Sequence, residues 1–276
     1  MPEQVIPASA AIMVSAHLDD AALSASARLG EGGALVVTVF TALPPDGWPV
    51  TSWDRLTGAT DSRERQLERY AEDAGAMAIL GASYHYLDQP ERLYREGPPD
   101  LAGATAGLGQ ILTRAAGSPA IGREIWLPAA IGGHPDHRLA RDIGLAAVAE
   151  MTQFDIFLYA DFPYLITHGW PANLTGRASD PLLDADSWLA DQLRRAGLDP
   201  AALTPRLTIL DADQRARKAA VIAAYRSQAP ALRLGAAELA VEPAKLAYEL
   251  SWKLESSFAA KGVARCHSRI YSAPSP

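Results

Sequence analysis

The sequence predicts an α/β protein with a Rossmann-like, mostly parallel sheet, helices on both faces, and a helical and irregular C-terminal extension. Short apolar runs at 11–15, 35–40, 124–127 and 156–159 alternate with segments of helical length. Such alternation is typical of a parallel sheet that is covered on both faces. After Pro171 the alternation stops, and we expect the extension to begin there.

Local signals place the individual elements in chain order. Asp61, with Glu64 three positions later, forms a capping-box variant that opens an Ala-rich helix ending at Gly81. The stretch 41–60 before this helix has neither a helical nor a strand period, so it predicts a long loop of a usually functional or disordered kind. The predicted strands span 11–15, 35–40, 84–87, 124–127, 156–159 and 267–272, and the predicted helices span 20–29, 61–80, 101–115, 138–151, 186–196, 211–227 and, apart from Pro243, 237–258.

Composition narrows the classes of protein to consider. The 276 residues are expected to form one domain, with an α/β core over about 1–170 and a C-terminal part over about 171–276 that shapes the pocket rim. The net charge of −7 argues against a nucleic-acid or anionic-membrane partner, and no segment approaches the ~20 apolar residues of a membrane span. The acidic start of the chain does not resemble a signal peptide, so we expect a cytoplasmic protein. Because Cys266 is the only cysteine, any metal must be held by nitrogen and oxygen ligands. The sequence does not determine the oligomeric state.

Two histidine- and aspartate-containing motifs each follow a predicted strand. They are His17-Leu18-Asp19-Asp20 and His134-Pro135-Asp136-His137. The carboxyl ends of parallel strands open into the crevice where ligands bind, so the two motifs are expected to meet there. Either motif alone is more often a helix cap or a turn. Their joint occurrence, with three of the chain's six histidines, favours a shared site.

The two motifs divide into metal ligands and acid–base groups, and the predicted ligands are His17, Asp20 and His137. Two imidazoles and one carboxylate with an open position form a hydrolytic zinc site. Asp19 can take a proton from water at the open position. Protonated His134 can donate to the oxyanion of a tetrahedral intermediate, and Asp136 can orient its imidazole. These residues predict a metal-dependent hydrolase that binds one Zn²⁺, or another divalent metal, per chain.

These motifs resemble those of the PIG-L/LmbE-like family of zinc-dependent N-deacetylases, whose members carry Pro/Ala-His-x-Asp-Asp and His-x-Asp-His. Further similar segments extend the resemblance to about residue 230: Arg69-Tyr70-Ala71-Glu72-Asp73 with Leu80-Gly81, Tyr159-Ala160-Asp161-Phe162-Pro163-Tyr164, and Lys218 with Tyr225-Arg226-Ser227-Gln228. The resemblance implies the same roles for the six motif residues, with Asp19 as the general base and His134 as the oxyanion or leaving-group partner. Ala21 and Ala160 stand where many members carry Glu.

The resemblance further implies that the substrate is an N-acetylglucosamine-type amino sugar or its glycoconjugate. Sugar hydroxyls need directional polar partners, and the predicted substrate-binding residues are Arg69, Asp88, Asp161 and Trp48. Arg69 can equally form a salt bridge on its helix surface. Trp48 and Trp53 can stack on a sugar ring or, equally, anchor their loop. A net-negative chain without a basic cluster favours a neutral or cationic substrate over a polyphosphate. Two alternatives stay open: a metal-dependent amidase acting on a non-sugar acyl amide, and a sugar-binding protein without turnover.

Overall fold

The seven strands of the described residues form one sheet. A computed structural model of the chain describes residues 11–116, 123–177 and 182–255. The strands are β1 (Ala11–Ser15), β2 (Ala34–Phe40), β3 (Ser83–Gln89), β4 (Glu124–Pro128), β5 (Asp155–Tyr159), β6 (Thr204–Ile209) and β7 (Tyr248–Lys253). Their order is β3-β2-β1-β4-β5-β7-β6. The first five pair in parallel, whereas β7 is antiparallel to both β5 and β6. The predicted mostly parallel sheet is confirmed.

Helices cover both faces of this sheet. They are α1 (Asp20–Ser24), α2 (Ser26–Leu29), α3 (Ser52–Leu56), α4 (Ser62–Leu80), α5 (Leu101–Ala116), α6 (Pro135–Val148), α7 (Phe162–His168), α8 (Ala172–Thr175), α9 (Ala185–Arg195), α10 (Ala212–Ala224) and α11 (Ala236–Val241). Ile12 and Val14 of β1 pack in one apolar cluster with α5, α6 and α9, while Met13 packs in a second with α4 and α10. Alternation along the strands therefore builds two cores. Among the described residues, no helix is both long and apolar enough to cross a bilayer.

The order in which successive strands are added to the sheet reverses between β1 and β4. From β1 the chain continues outward to β2 and β3, and from β4 it continues outward to β5 on the other side. In open α/β sheets, ligands bind outside the carboxyl ends of the strands at this switch point. Both sequence motifs follow these two strands, so the fold places them on either side of the crevice.

The helix expected over 20–29 is interrupted at Ala25, and the expectation of a continuous helix is wrong. Ala25 has φ −138° and ψ 37°, which separates α1 from α2. Glu249 of β7 explains the break, because its carboxylate accepts the Ser26 hydroxyl at 2.7 Å and the Ala27 backbone N–H at 3.1 Å. A distant carboxylate thereby satisfies the start of a second helix.

The C-terminal part differs most from the expectations. The helix predicted over 237–258 is wrong: α11 is followed by a 3₁₀ turn at Pro243–Leu246 and then by β7. The strand β6 and the helices α7 and α8 are not predicted, and the loop 41–60 contains α3, which Thr51 and Asp54 cap. β7 forms because the open edge of β5 needs hydrogen-bond partners, which local helical patterning does not reveal. The predicted strand 267–272 lies outside the described residues.

A buried ion pair joins this C-terminal part to the core. Lys218 Nζ of α10 lies 2.8 Å from Glu249 Oε1 of β7 and 3.9 Å from the centre of the Phe162 ring. Lys218 is fully buried, and burial lowers the pKa of its ammonium group. The pair therefore connects α10, β7 and α7, and through Glu249 it also supports the start of α2.

Replacing Lys218 tests this connection. Lys218→Met should lower the free energy of unfolding by about 3–5 kcal/mol, because it leaves the Glu249 carboxylate buried without its cation. The double variant Lys218→Met/Glu249→Gln should lose less, and Arg195→Gln, which breaks the exposed pair with Asp191, should lose at most about 1 kcal/mol. Urea denaturation measures all three. A loss below about 1 kcal/mol for Lys218→Met would contradict a structural role for the pair.

Candidate metal centre and active-site pocket

A pocket of about 390 Å³ opens at the carboxyl ends of β1 and β4. The residues singled out from the sequence that line it are His17, Asp19, Asp20, Arg69, His134, Asp136 and His137. Both motifs thus contribute to one concave site, as expected from the strand order.

The Asp20 carboxylate lies between the two histidines that are predicted to bind metal. Its Oδ2 atom is 3.1 Å from His17 Nδ1 and 3.2 Å from His137 Nε2. The same oxygen accepts the backbone N–H of His17 at 2.7 Å, which fixes the carboxylate against the loop after β1. All three side chains are buried. One oxygen and two imidazole nitrogens therefore converge from two strand-to-helix junctions, β1–α1 and β4–α6.

A second carboxylate holds each imidazole from its other side. His137 Nδ1 is 2.5 Å from Asp161 Oδ1, and the other oxygen of Asp161 accepts the Ile131 backbone N–H at 2.9 Å. His17 Nε2 is 3.3 Å from Asp136 Oδ2. Metal-binding histidines usually have such a partner on the nitrogen that does not face the metal.

These placements revise two predicted roles. Asp161 is predicted to bind substrate, but it is buried beneath His137 and orients that ring. The Asp136 carboxylate is predicted to orient His134, but it contacts His17, the Arg95 guanidinium at 2.6 Å and the Arg92 backbone N–H at 2.8 Å. The sequence shows both carboxylates near the site but not which ring each one reaches.

His134 receives its orientation from the backbone. It is the N-cap of α6, and its Nδ1 accepts the Asp136 backbone N–H at 3.2 Å. This hydrogen bond leaves the proton of the neutral ring on Nε2. Burial, with the charges of His17 and His137, lowers the pKa of His134 to about 3. This shift favours a neutral ring at pH 7, whereas the motif alone predicts a protonated one.

The carboxylates create a site that favours positive charge. Burial opposes a charged His17, but the carboxylates of Asp20 and Asp136 outweigh it and raise its pKa to about 10. Burial likewise disfavours the ionised form of Asp20, yet the two histidines hold its pKa well below the usual range. The same field that stabilises imidazolium protons attracts a divalent cation, which replaces those protons on binding.

The donor set fits a divalent metal ion. Zinc bonds of ~2.0–2.1 Å in a tetrahedral site place neighbouring donor atoms ~3.3 Å apart. The distances from Asp20 Oδ2 to the two imidazole nitrogens, 3.1 and 3.2 Å, are close to this value. A second set is also compatible, because nitrogens of His17, His134 and His137 lie within 4.8 Å of one another. We favour the first set, since one carboxylate oxygen lies 3.1 and 3.2 Å from its two imidazole nitrogens and His134 Nδ1 is already used as a helix cap.

Asp19 lies beside this donor set. Burial, reinforced by the charge of Asp20, raises the pKa of Asp19 to about 6. Arg69 opposes the shift, and its own Nη1 pairs with Glu91 at 2.8 Å. A buried carboxyl group with a pKa near neutrality can both accept and return a proton at pH 7.

Two residues predicted to bind substrate lie outside the pocket lining. Trp48 Nε1 donates to the Leu93 carbonyl at 3.0 Å, which anchors the loop. Asp88 is exposed, and its backbone N–H donates to Thr41 Oγ1 at 3.1 Å. Trp53 of the same long loop instead lines the pocket, with its Nε1 donating to Gln228 Oε1 at 2.8 Å.

Several lining residues are missed by sequence reasoning. Glu91, Arg92 and Leu93 come from a Pro-containing loop with no recognisable motif, and 231–233 come from the turn after α10. Tyr164 approaches the site because Gly132, with φ +81°, has no Cβ; a Cβ there would lie 2.3 Å from the Tyr164 ring. The segment 159–164, which is part of the family resemblance, thus contributes Tyr164 to the pocket, but only the fold shows that Gly132 lies against it.

The segment Tyr225-Arg226-Ser227-Gln228, which follows α10, is hydrogen-bonded to α4. The Tyr225 hydroxyl lies 2.8 Å from Asp73 Oδ1 and 3.0 Å from the Leu18 carbonyl, next to the first motif. Glu72 accepts the Ser227 backbone N–H at 2.9 Å and its hydroxyl at 2.7 Å. These contacts bring Gln228 and the turn that follows it to the pocket.

Comparison with known proteins identifies similar folds. No family model and no curated protein matches the chain. The zinc-inhibited form of teicoplanin deacetylase Orf2 is 19% identical, covers 88% of this chain and 97% of its own, and has a TM-score of 0.65. The A40926 pseudoaglycone deacetylase Dbv21 is 24% identical over 89% of this chain and 96% of its own, with a TM-score of 0.61. The similarity shows that the α/β fold is shared over the 88–89% of this chain that the two structures cover.

Metal retention distinguishes the two donor sets. Asp20→Asn and His137→Ala should lose the metal, whereas His134→Ala should keep it, because only the first two change the favoured set. Asp161→Asn should weaken metal binding about 10–100-fold by releasing the His137 ring. Elemental analysis and chelator competition measure both effects, with circular dichroism to verify folding. Metal loss in His134→Ala together with retention in Asp20→Asn would identify the three-histidine set instead.

Proposed function

We propose that this chain is a zinc-dependent N-deacetylase that releases acetate from an N-acetylglucosamine-type amino sugar or its glycoconjugate. The observation that carries the proposal is the convergence of a two-histidine, one-aspartate donor set with two further groups, Asp19 and His134, in one pocket. Solved structures described as deacetylases share the fold. The proposal includes membership of the PIG-L/LmbE-like family, a single-domain organisation and a cytoplasmic location.

The ligand residues of the proposal are His17, Asp20 and His137. When bound, a divalent cation supplies Lewis acidity, which polarises an amide carbonyl and makes water a stronger acid. Asp136 and Asp161 keep the ligand rings in place from the opposite side. Holding the rings rigidly reduces the reorganisation needed during reaction.

Asp19 is the proposed general base. It lines the pocket next to the donor set, and burial raises its pKa to about 6, close to neutrality. It takes a proton from the attacking water and then returns it to the departing amine nitrogen. Burial that raises the pKa of a carboxyl group is a recurrent way to prepare it for this task.

His134 is the proposed hydrogen-bond donor to the amide oxygen. The α6 cap leaves its Nε2–H as the donor of a neutral ring. A neutral imidazole can stabilise the negative charge that develops on the carbonyl oxygen without first losing a proton. The cap fixes the ring before substrate arrives, so little reorganisation is needed.

The remaining lining suits a sugar with an apolar part. Arg69 is buried, lines the pocket and can meet hydroxyl groups, and Trp53 can stack on a ring face. Leu93, Pro163 and Leu232 add apolar surface. This apolar wall also favours a second candidate function, a metal-dependent amidase acting on a non-sugar acyl amide.

An acetate-release assay separates these functions. The metal-loaded protein should release acetate from N-acetylglucosaminides, and chelation should abolish the reaction. Hydrolysis of non-sugar acyl amides without turnover of any N-acetylhexosaminide would replace the proposal by the amidase. Binding of the glycosides without any hydrolysis would instead identify a sugar-binding protein.

Asp19→Asn tests the assignment of the base. The substitution preserves shape but removes the proton acceptor, so kcat should fall by about 10²–10⁴ while the metal stays bound. Rate measurements combined with elemental analysis detect the difference from Asp20→Asn, in which the metal should be lost. Equal metal loss in both variants would show that ligand and base are wrongly distinguished.

A further inference from the structure

Two unpaired guanidinium groups lie at the pocket, from segments far apart in the sequence. Arg92 and Arg233 both line it, and both are exposed. Within the described parts of the chain, neither side chain forms an ion pair. They differ in this from Arg69 and Arg95, which pair with Glu91 and Asp136.

Arg233 occupies a backbone position that normally selects glycine. Its φ is +57°, in the left-handed region. Leu234 N–H bonds the Ala229 carbonyl at 2.8 Å, and Arg233 N–H bonds the Pro230 carbonyl at 3.1 Å. This pair of bonds is a Schellman motif with Arg233 at its left-handed C′ residue, where glycine is common because it lacks a Cβ. A long cationic side chain is therefore held at the pocket despite backbone strain, and such outliers concentrate at functional sites.

Arg92 is held by the backbone. Its N–H donates to Asp136 Oδ2 at 2.8 Å, and the next carbonyl, that of Leu93, accepts Trp48 Nε1 at 3.0 Å. These bonds fix the 3₁₀ turn Arg92–Tyr94 at the site, while the guanidinium group makes neither of them. The backbone is thus positioned and the charge is available to a ligand.

The acids of the pocket do not neutralise these two arginines. They are already engaged by other groups: Asp20 by His17 and His137, Glu91 by Arg69, Asp136 by Arg95, and Asp19 by the charge of Arg69. Guanidinium groups recognise carboxylates and phosphates through paired, charge-assisted hydrogen bonds. The available charge at the rim therefore suits an anion.

We infer that Arg92 and Arg233 form an anion-binding rim, so that the substrate carries a carboxylate or phosphate group on the part that projects from the acetamido sugar. This inference rests on the proposed function. It replaces the expectation of a neutral or cationic substrate, which depends on the absence of a basic cluster in the sequence. The fold, and not the sequence, brings these arginines to one pocket.

The test uses three glycosides of N-acetylglucosamine whose aglycones end in a carboxylate, in a phosphate monoester, or in the methyl ester of the carboxylate. With one equivalent of Zn²⁺, the wild-type protein should hydrolyse at least one anionic glycoside with kcat/KM about ten- to hundredfold above that of the ester. The comparison of carboxylate with phosphate identifies which anion the rim prefers. Equal kcat/KM values for all three would overturn the inference.

Substitutions test whether Arg92 and Arg233 cause the preference for anionic glycosides over the ester. Arg233→Gly should remove most of it while the unfolding temperature stays equal or rises, because glycine relieves the left-handed strain. Arg92→Gln should also reduce it, and Arg195→Gln, on an exposed residue that does not line the pocket, should leave it unchanged. A preference that survives both pocket substitutions would overturn the inference.

Binding measurements distinguish this inference from the proposed function. If none of the glycosides is hydrolysed, the proposed function fails, and calorimetric dissociation constants of the intact glycosides still decide the question. Tighter binding of the anionic glycosides that is lost in Arg233→Gly would support the rim. Equal dissociation constants for anionic and ester glycosides would exclude it.

Discussion

The structure around the pocket depends on one oxygen atom, Asp20 Oδ2, which lies between His17 Nδ1 and His137 Nε2. It joins the loop after β1 to the loop after β4, where the strand order reverses. Burying a carboxylate and two imidazoles is unfavourable unless each polar atom has a partner. Asp136 and Asp161 provide those partners on the outer nitrogens of the rings. With both imidazoles neutral, the cluster has excess negative charge at its centre, which a divalent cation would offset.

The C-terminal part is attached to the core through polar contacts with buried groups, and this attachment completes the pocket. Glu72 and Asp73 of α4 bind the segment 225–227, and Lys218 pairs with Glu249 in the inner antiparallel strand. The turn that follows carries Gln228 and 231–233 to the pocket. The proposed catalytic groups therefore come from the ends of parallel strands, whereas part of the surrounding pocket wall comes from the added segment. Such a division lets the recognition surface vary without disturbing the donor set.

The sequence predicts the parallel core, because strand periodicity is a local signal. It also predicts seven residues of the pocket, namely the six of the two motifs and Arg69, because short motifs can be recognised without the fold. The role of Asp161 and the true partners of Asp136 could not be predicted, since a ring orientation depends on distances between separate loops. The local pattern predicts helix where β7 lies, because the stability of this strand comes from its pairing with β5 and β6. Arg92 and Arg233 carry no motif, so only the fold reveals that they share a pocket.

X-ray absorption spectroscopy of the metal-loaded protein tests the claim that His17, Asp20 and His137 bind the metal, because it reports the atoms bound to the ion. Two imidazole nitrogens and one carboxylate oxygen from the protein should be found at bond lengths of about 2.0–2.2 Å. His134→Ala, which should keep the metal, should leave this spectrum unchanged. A spectrum with three imidazoles and no carboxylate, or protein that binds no divalent metal, would contradict the claim.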